Sequence, residues 1–189
     1  MSFDWATLSE NELATLTLAG REAAFAEIMH RHRQSIYRIV RGSTGETDEA
    51  LDLMQETFIA AYQGMSRYDG NRSMRAWLST IAINKCRDRG RKRAVRRFLL
   101  FATTIGPEAE AVADNQVLAD DATGDRQELS CVTRAIADLP APLREAIVLR
   151  TIEGLSQSET AAILSISEKA VETRLYRART KLIERLGKR

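Results

Sequence analysis

Between residues 68 and 97 the sequence YDGNRSMRAWLSTIAINKCRDRGRKRAVRR changes character halfway along. A short polar loop with Gly70, Asn71 and Ser73 precedes the apolar residues Met74, Trp77, Leu78, Ile81 and Ile83. Most of these recur at steps of three or four, which predicts a helix with one buried face. From Lys85 onward the same stretch carries eight basic residues (Lys85, Arg87, Arg89, Arg91, Lys92, Arg93, Arg96, Arg97) against one acid, Asp88. A basic run that prolongs an apolar-faced helix behind a polar loop suits a nucleic-acid backbone beside a site that admits a base. It equally suits a solvated helix end favoured by the negative pole of the helix dipole. Both readings stay open on this stretch alone.

The rest of the chain narrows the choice. Its 189 residues allow one or two small domains. The net charge of +2 hides segregation, with basic runs at residues 85–97 and near the C-terminus and an acidic stretch between them. Abundant Ala, Leu, Glu and Arg with three prolines predict an all-α chain. No run approaches the ~20 apolar residues of a membrane helix, and MSFDWATLSENEL lacks the basic start and apolar centre of a signal peptide. A cytoplasmic protein without membrane insertion is expected. Cys86 and Cys131 form no CxxC and are expected to be small buried groups. His30 and His32, two apart, diverge on a helix, so no metal and no cofactor is expected.

In chain order, Ser9 with Glu12 has capping-box spacing and opens a helix that ends near Gly20. A second helix is expected from Glu22 to Val40, with Ala24, Phe25, Ile28, His32, Ile36, Ile39 and Val40 inward and Gly42 as its stop. A third, from about Asp48 to Met65, is expected to face inward through Leu51, Met54, Phe58, Ala61 and Tyr62. Its DLMQETF segment leaves Asp52, Gln55 and Glu56 on the outer face. Trp77 fits the apolar rhythm and is read as core rather than as a stacking platform.

DLMQETF, then FIAAY, then RAWLSTIAINKCRDRGRK resembles the second conserved region of bacterial sigma factors of the extracytoplasmic-function (ECF) group, within the sigma-70 family. The resemblance implies that Leu51, Asp52, Gln55, Glu56 and Phe58 make or support a contact with the β′ clamp helices of core RNA polymerase. It implies that the loop of Tyr68, Asp69, Gly70, Asn71 and Ser73, with Asn84, holds a flipped base of the promoter −10 element. An amide can both donate to and accept from a base edge, and a Gly-containing loop lets backbone approach an extruded nucleotide. Lys85, Arg89, Arg91 and Arg93 are then expected on phosphates. Beyond Trp77 this helix offers no aromatic wedge, so strand opening is expected to tolerate few promoter sequences.

FLLF at residues 98–101 either packs the helix end or binds a partner; the sequence leaves both open. Residues 102–128 read as a flexible acidic linker, with seven acids against Arg126. The resemblance places such a linker in the polymerase channel. A second domain is expected over residues 129–189, the first covering 1–101. Here a helix stops at LPAP and another runs from about Pro142 to Gly154. Ser156 with Glu159 caps a short helix, and Ser167 caps a long basic one. That is a helix-turn-helix plan, with Ser165 where such turns often carry Gly and Thr160 where an aliphatic is usual. Its last helix is expected in the major groove. Lys169, Glu172, Thr173, Arg174 and Arg177 lie on or near the reading face, with Arg179 and Lys181 on phosphates. This segment resembles the fourth conserved region of the same family, which reads the −35 element and docks on the β flap.

The resemblance thus implies two helical domains and, as partners, core RNA polymerase, promoter DNA and an anti-sigma factor wedged between the domains. Two other readings compete: a sigma mimic that only binds an anti-sigma factor, and a free-standing repressor. A mimic has no need of Asn84, the basic run, Arg174 or Arg177, and the chain has no room for a separate ligand-binding domain. No P-loop, nucleophile–base pair or metal cluster points to an enzyme.

Overall fold

A computed structural model describes residues 4–103 and 124–187, and among them only helices and turns occur. The N-terminal bundle holds α1 (Glu10–Leu18), α2 (Glu22–Thr44), α3 (Thr47–Gln63) and α4 (Met74–Thr103). The C-terminal bundle holds α5 (Gly124–Ala137), α6 (Ala141–Ile147), α7 (Gln157–Leu164) and α8 (Glu168–Leu186). The capping boxes expected at Ser9/Glu12 and Ser156/Glu159 are both made, and Ser167 caps α8 through the Ala170 amide.

In α2 every residue expected inward is buried, and α4 buries Met74, Leu78, Ala82 and Ile83 against it and α3. Fully burying such an aliphatic side chain contributes about 1.5–3 kcal/mol, which fixes the first half of α4 firmly. The second half has no such anchor, and Phe98, Leu99 and Leu100 are all exposed. The sequence left two uses open for FLLF, and these three side chains are all more than half exposed. The side chain of Phe101 and most of the expected linker lie outside the described residues. Trp77 is partly buried against the core, its ring 5.4 Å from that of Tyr68.

Three expectations need correction. First, Gly42 does not end α2. The helix runs to Thr44 and stops at Gly45, whose φ of 81° is the left-handed conformation a glycine tolerates. Gly42 instead admits the C-terminal bundle: a β-carbon there would lie 2.9 Å from Ile152 and 3.0 Å from Val148. Second, α3 is rotated from the expected register. Ala50, Leu53, Thr57, Phe58 and Ala61 are buried, whereas Leu51 and Tyr62 are exposed, because α2 and α4 both pack on α3 and the buried arc spans two contacts. Third, α5 begins at Gly124, inside the segment expected to be linker.

In the C-terminal bundle Ala161, Leu164, Val171 and Leu175 close the helix-turn-helix core, with Ile166 partly buried against it. Ser165 takes φ 55° and ψ 47°, the left-handed turn a glycine would occupy more easily. Thr160 is fully buried and its hydroxyl has no hydrogen-bond partner. After α6 the chain widens into one π-turn over Val148–Ile152, where the Glu153 amide reaches back to the Val148 carbonyl at 2.9 Å. That turn aims Glu153 at the N-terminal bundle.

Candidate nucleic-acid interface

The loop before α4 is held by α1, a support that sequence reasoning missed. Asn11 Nδ2 donates to the Gly70 carbonyl at 3.0 Å, and a β-carbon on Gly70 would sit 2.9 Å from Asn11 Oδ1. Glu10 Oε2 accepts from the Met74 amide at 3.2 Å, which satisfies one of the orphan donors at the start of α4. The other carboxylate oxygen of Glu10 lies 2.9 Å from His32 Nε2. Burial drives the His32 pKa below its ordinary value, with Glu10 acting against that shift. Only the capping box at Ser9/Glu12 announced α1, and nothing local in sequence says that Asn11 meets Gly70.

Within the loop, Asp69 Oδ1 accepts from both the backbone and side-chain nitrogens of Asn71 at 3.0 Å. Tyr68 donates its hydroxyl to the Arg72 carbonyl at 2.8 Å. Tyr68 thus braces the loop from beneath, and burial, helped by Glu10 and Asp69, raises its pKa. Asp69, Gly70, Asn71 and Ser73 are exposed. Asn84 is exposed as well, directly after buried Ile83. Its ten-residue separation from Met74 places it roughly 15 Å along the α4 axis from the loop.

The cations of α4 divide into two rows. Lys85, Arg89 and Arg93 face α3: Lys85 lies 3.8 Å and Arg89 2.9 Å from Glu56, while Arg93 reaches Glu49 at 3.0 Å. Glu56, expected to be an open polymerase contact, is therefore shared with the expected phosphate ligands. On the other row Arg91 pairs with Asp88, and Arg87 donates to Asn84 Oδ1 at 3.4 Å. Arg87 also forks onto Glu145 of α6 with bonds of 2.7 and 2.6 Å, the main reason its pKa is raised.

On α3 the expected polymerase face is partly as drawn. Leu51, Asp52 and Gln55 are exposed, Glu56 is half-buried, and Phe58 is core. Beside it an apolar groove of about 740 Å³ opens between α2 and α3. Phe25, Met29, Met54, Phe58, Ile59 and Tyr62 line it, with Phe25 edge-on to Tyr62 at 5.0 Å. The periodicity marked Phe25, Met54, Phe58 and Tyr62 as inward, which is why the groove went unseen.

On α8, Lys169, Glu172, Thr173, Arg177, Arg179 and Lys181 are exposed and Arg174 is half-buried. Among the described residues no ion pair ties down any of these five cations. The side chain of Thr173 instead bonds back to the Lys169 carbonyl of its own helix at 2.9 Å.

His30 and His32 part as expected, His30 to solvent and His32 inward. Burial pushes the Cys86 thiol up to about 11, and Cys131 is half-buried. No described helix is long and apolar enough to cross a membrane.

The two bundles touch directly. The side chain of Glu153 has no exposed surface. It accepts from Ser35 Oγ, from Arg38 at 3.2 Å and from Arg75 at 2.8 Å, all on the N-terminal bundle.

Comparison with known proteins agrees with this division. Residues 28–96 match the family Sigma-70 region 2, and residues 129–182 match Sigma-70, region 4. The chain is 38% identical over 172 residues to the RNA polymerase sigma factor CnrH of Cupriavidus metallidurans, covering 90% of each. It is 36% identical over 172 residues to the ECF RNA polymerase sigma factor SigW of Bacillus subtilis, covering 88% of this chain and 91% of that one. Among solved structures, CnrH in complex with the cytosolic domain of CnrY superposes with a TM-score of 0.67 at 32% identity, covering 93% of this chain and 95% of that one. The sigma factor RpoE in complex with the anti-sigma factor NepR from Bartonella quintana gives 0.66 at 26%, covering 86% and 96%.

Proposed function

The chain belongs to the ECF group of sigma-70 family RNA polymerase sigma factors, and we propose that it divides its promoter-directing work among the surfaces just described. It is an alternative sigma factor that binds core RNA polymerase and directs initiation from particular promoters under the control of an anti-sigma factor. The residue assignments are our own. Leu51, Asp52, Gln55 and Glu56 meet the β′ clamp helices, and Phe58 supports them from the core. The melted −10 strand runs along α4 from the loop at Asp69, Gly70, Asn71 and Ser73 to Asn84, with Lys85, Arg89, Arg91 and Arg93 on its phosphates. Helix α8 enters the −35 major groove, where Arg174 and Arg177 address guanines and Arg179 and Lys181 the backbone. The C-terminal bundle docks on the β flap. The anti-sigma factor hides the polymerase-binding face, with an apolar helix laid into the adjoining α2–α3 groove. Catalysis belongs to the polymerase, so the chain works in the cytoplasm.

The observation that carries this assignment is the simultaneous exposure of Asn84, of the loop residues Asp69, Gly70, Asn71 and Ser73, and of Lys169, Arg177, Arg179 and Lys181 on α8, on two bundles of one chain. Each contact alone is weak, and tethering both to one polymerase raises the effective concentration of the second. Run-off transcription with purified core polymerase on a genomic promoter library tests it. Discrete new start sites preceded by a shared two-part motif are expected; absence of binding to core overturns the assignment.

A further inference from the structure

Three arginines outside the expected DNA set are engaged across the bundle interface. Arg38 and Arg75 converge on Glu153, and Arg75 also donates to the Glu153 backbone carbonyl. Arg87 forks onto Glu145, which is itself buried. Arg75 is the second residue of α4, next to the loop, and Arg87 lies one turn beyond Asn84 and touches its side-chain oxygen. A bidentate guanidinium–carboxylate fork has the geometry with which arginine also grips a phosphate. Glu145 therefore holds Arg87 beside Asn84, and Glu153 holds Arg38 and Arg75 beside the start of α4, each with carboxylate oxygens that a phosphate could replace.

We infer that Arg38, Arg75 and Arg87 are further ligands for the phosphodiester backbone of the captured single strand, and that Glu145 and Glu153 of the C-terminal bundle occupy them as phosphate substitutes while the two bundles are closed. The contact is suited to exchange. Arg38 and Arg75 keep side-chain exposures of 44% and 37%, and separating the bundles returns every one of these groups to water or to another anion. A buried ion pair gains little over its own desolvation, so the closed arrangement is poised rather than locked. Reach of the C-terminal bundle to its own DNA element then uncovers the cations that secure the first.

This inference rests on the reading of α4 as the strand-capturing face. Its test uses the full-length chain without polymerase and a fluorescein-labelled single-stranded DNA 20-mer of mixed sequence, titrated over a range of salt. The double variant Glu145→Gln with Glu153→Gln is expected to bind several-fold more tightly than the parent. Its dependence of log affinity on log salt should steepen by about two, as three added single-strand phosphate contacts require. Adding Arg38→Gln, Arg75→Gln and Arg87→Gln should erase the gain. No gain in the double variant overturns the inference, as does a gain that survives loss of the arginines. A gain confined to core polymerase binding also overturns it, by making the three arginines protein ligands. Should the double variant lose helicity, Glu145→Gln alone is expected to give a smaller gain, cancelled by Arg87→Gln. Run-off transcription by the parent separately reports the sigma reading, so the two failures stay distinguishable.

Discussion

The basic half of α4 and the basic helix α8 have similar compositions and opposite circumstances. On α4, Lys85, Arg87, Arg89, Arg91 and Arg93 all have a carboxylate within reach, three of them on α3 and Arg87 on α6. On α8, Lys169, Arg174, Arg177, Arg179 and Lys181 have none among the described residues. A strand approaching α4 must displace internal anions, whereas a duplex approaching α8 displaces only water and counterions. Basic composition therefore reports what a helix can bind, and its neighbours decide how much of that binding is available.

The comparison is most sharply broken by removing what anchors each helix. Leu78→Ala in α4 and Leu175→Ala in α8 should each cost about 2–5 kcal/mol. The larger loss is expected at Leu78, which is fully buried, than at Leu175, which is 9% exposed; denaturant unfolding of each variant measures it. Next come the reading residues. Arg177→Ala should weaken transcription from wild-type promoters by about 1–3 kcal/mol and relax selection at one −35 position only. Asn84→Ala should blunt −10 discrimination while leaving binding to core unchanged, both read in competitive run-off assays.

Smaller effects separate the two bundles further. Ser156→Ala removes the cap that holds α7 and should cost about 1 kcal/mol in thermal unfolding, with Ser9→Ala similar in α1. For phosphate contacts, Arg179→Ala should reduce the salt slope of holoenzyme–promoter binding by about one. Arg93→Ala should reduce it less, because the strand no longer has to compete with Glu49 there. The smallest effect is acid sensitivity. Burial holds the folded-state pKa of His32 below its ordinary value, with Arg31 and Arg75 adding to the depression and Glu10 opposing it. The unfolded chain therefore binds the proton first on acidification. Stability should be full above the ordinary histidine range and fall as pH drops through it toward the folded-state pKa. His32→Gln should flatten that fall in pH-dependent thermal melts.

Much of this molecule was legible in the chain because its determinants are local. The apolar rhythm from Ala24 to Val40, the capping boxes at Ser9 and Ser156, and the Ser167 start of α8 are short-range patterns, and each appears where its spacing puts it. The motif around DLMQETF and Asn84 carried the family. Only the tertiary structure decided the rest. Gly42 looked like a helix stop because a glycine's meaning depends on what approaches it, and what approaches is Ile152, 110 residues away. The register of α3 depended on two helices packing on it at once, and the brace from Asn11 to Gly70 on contact across 59 residues. Above all, sequence gives the charges of Arg38, Arg75, Arg87, Glu145 and Glu153 but not their pairing. Coulomb interaction and desolvation act through distance and burial, and those exist only once the two bundles have met.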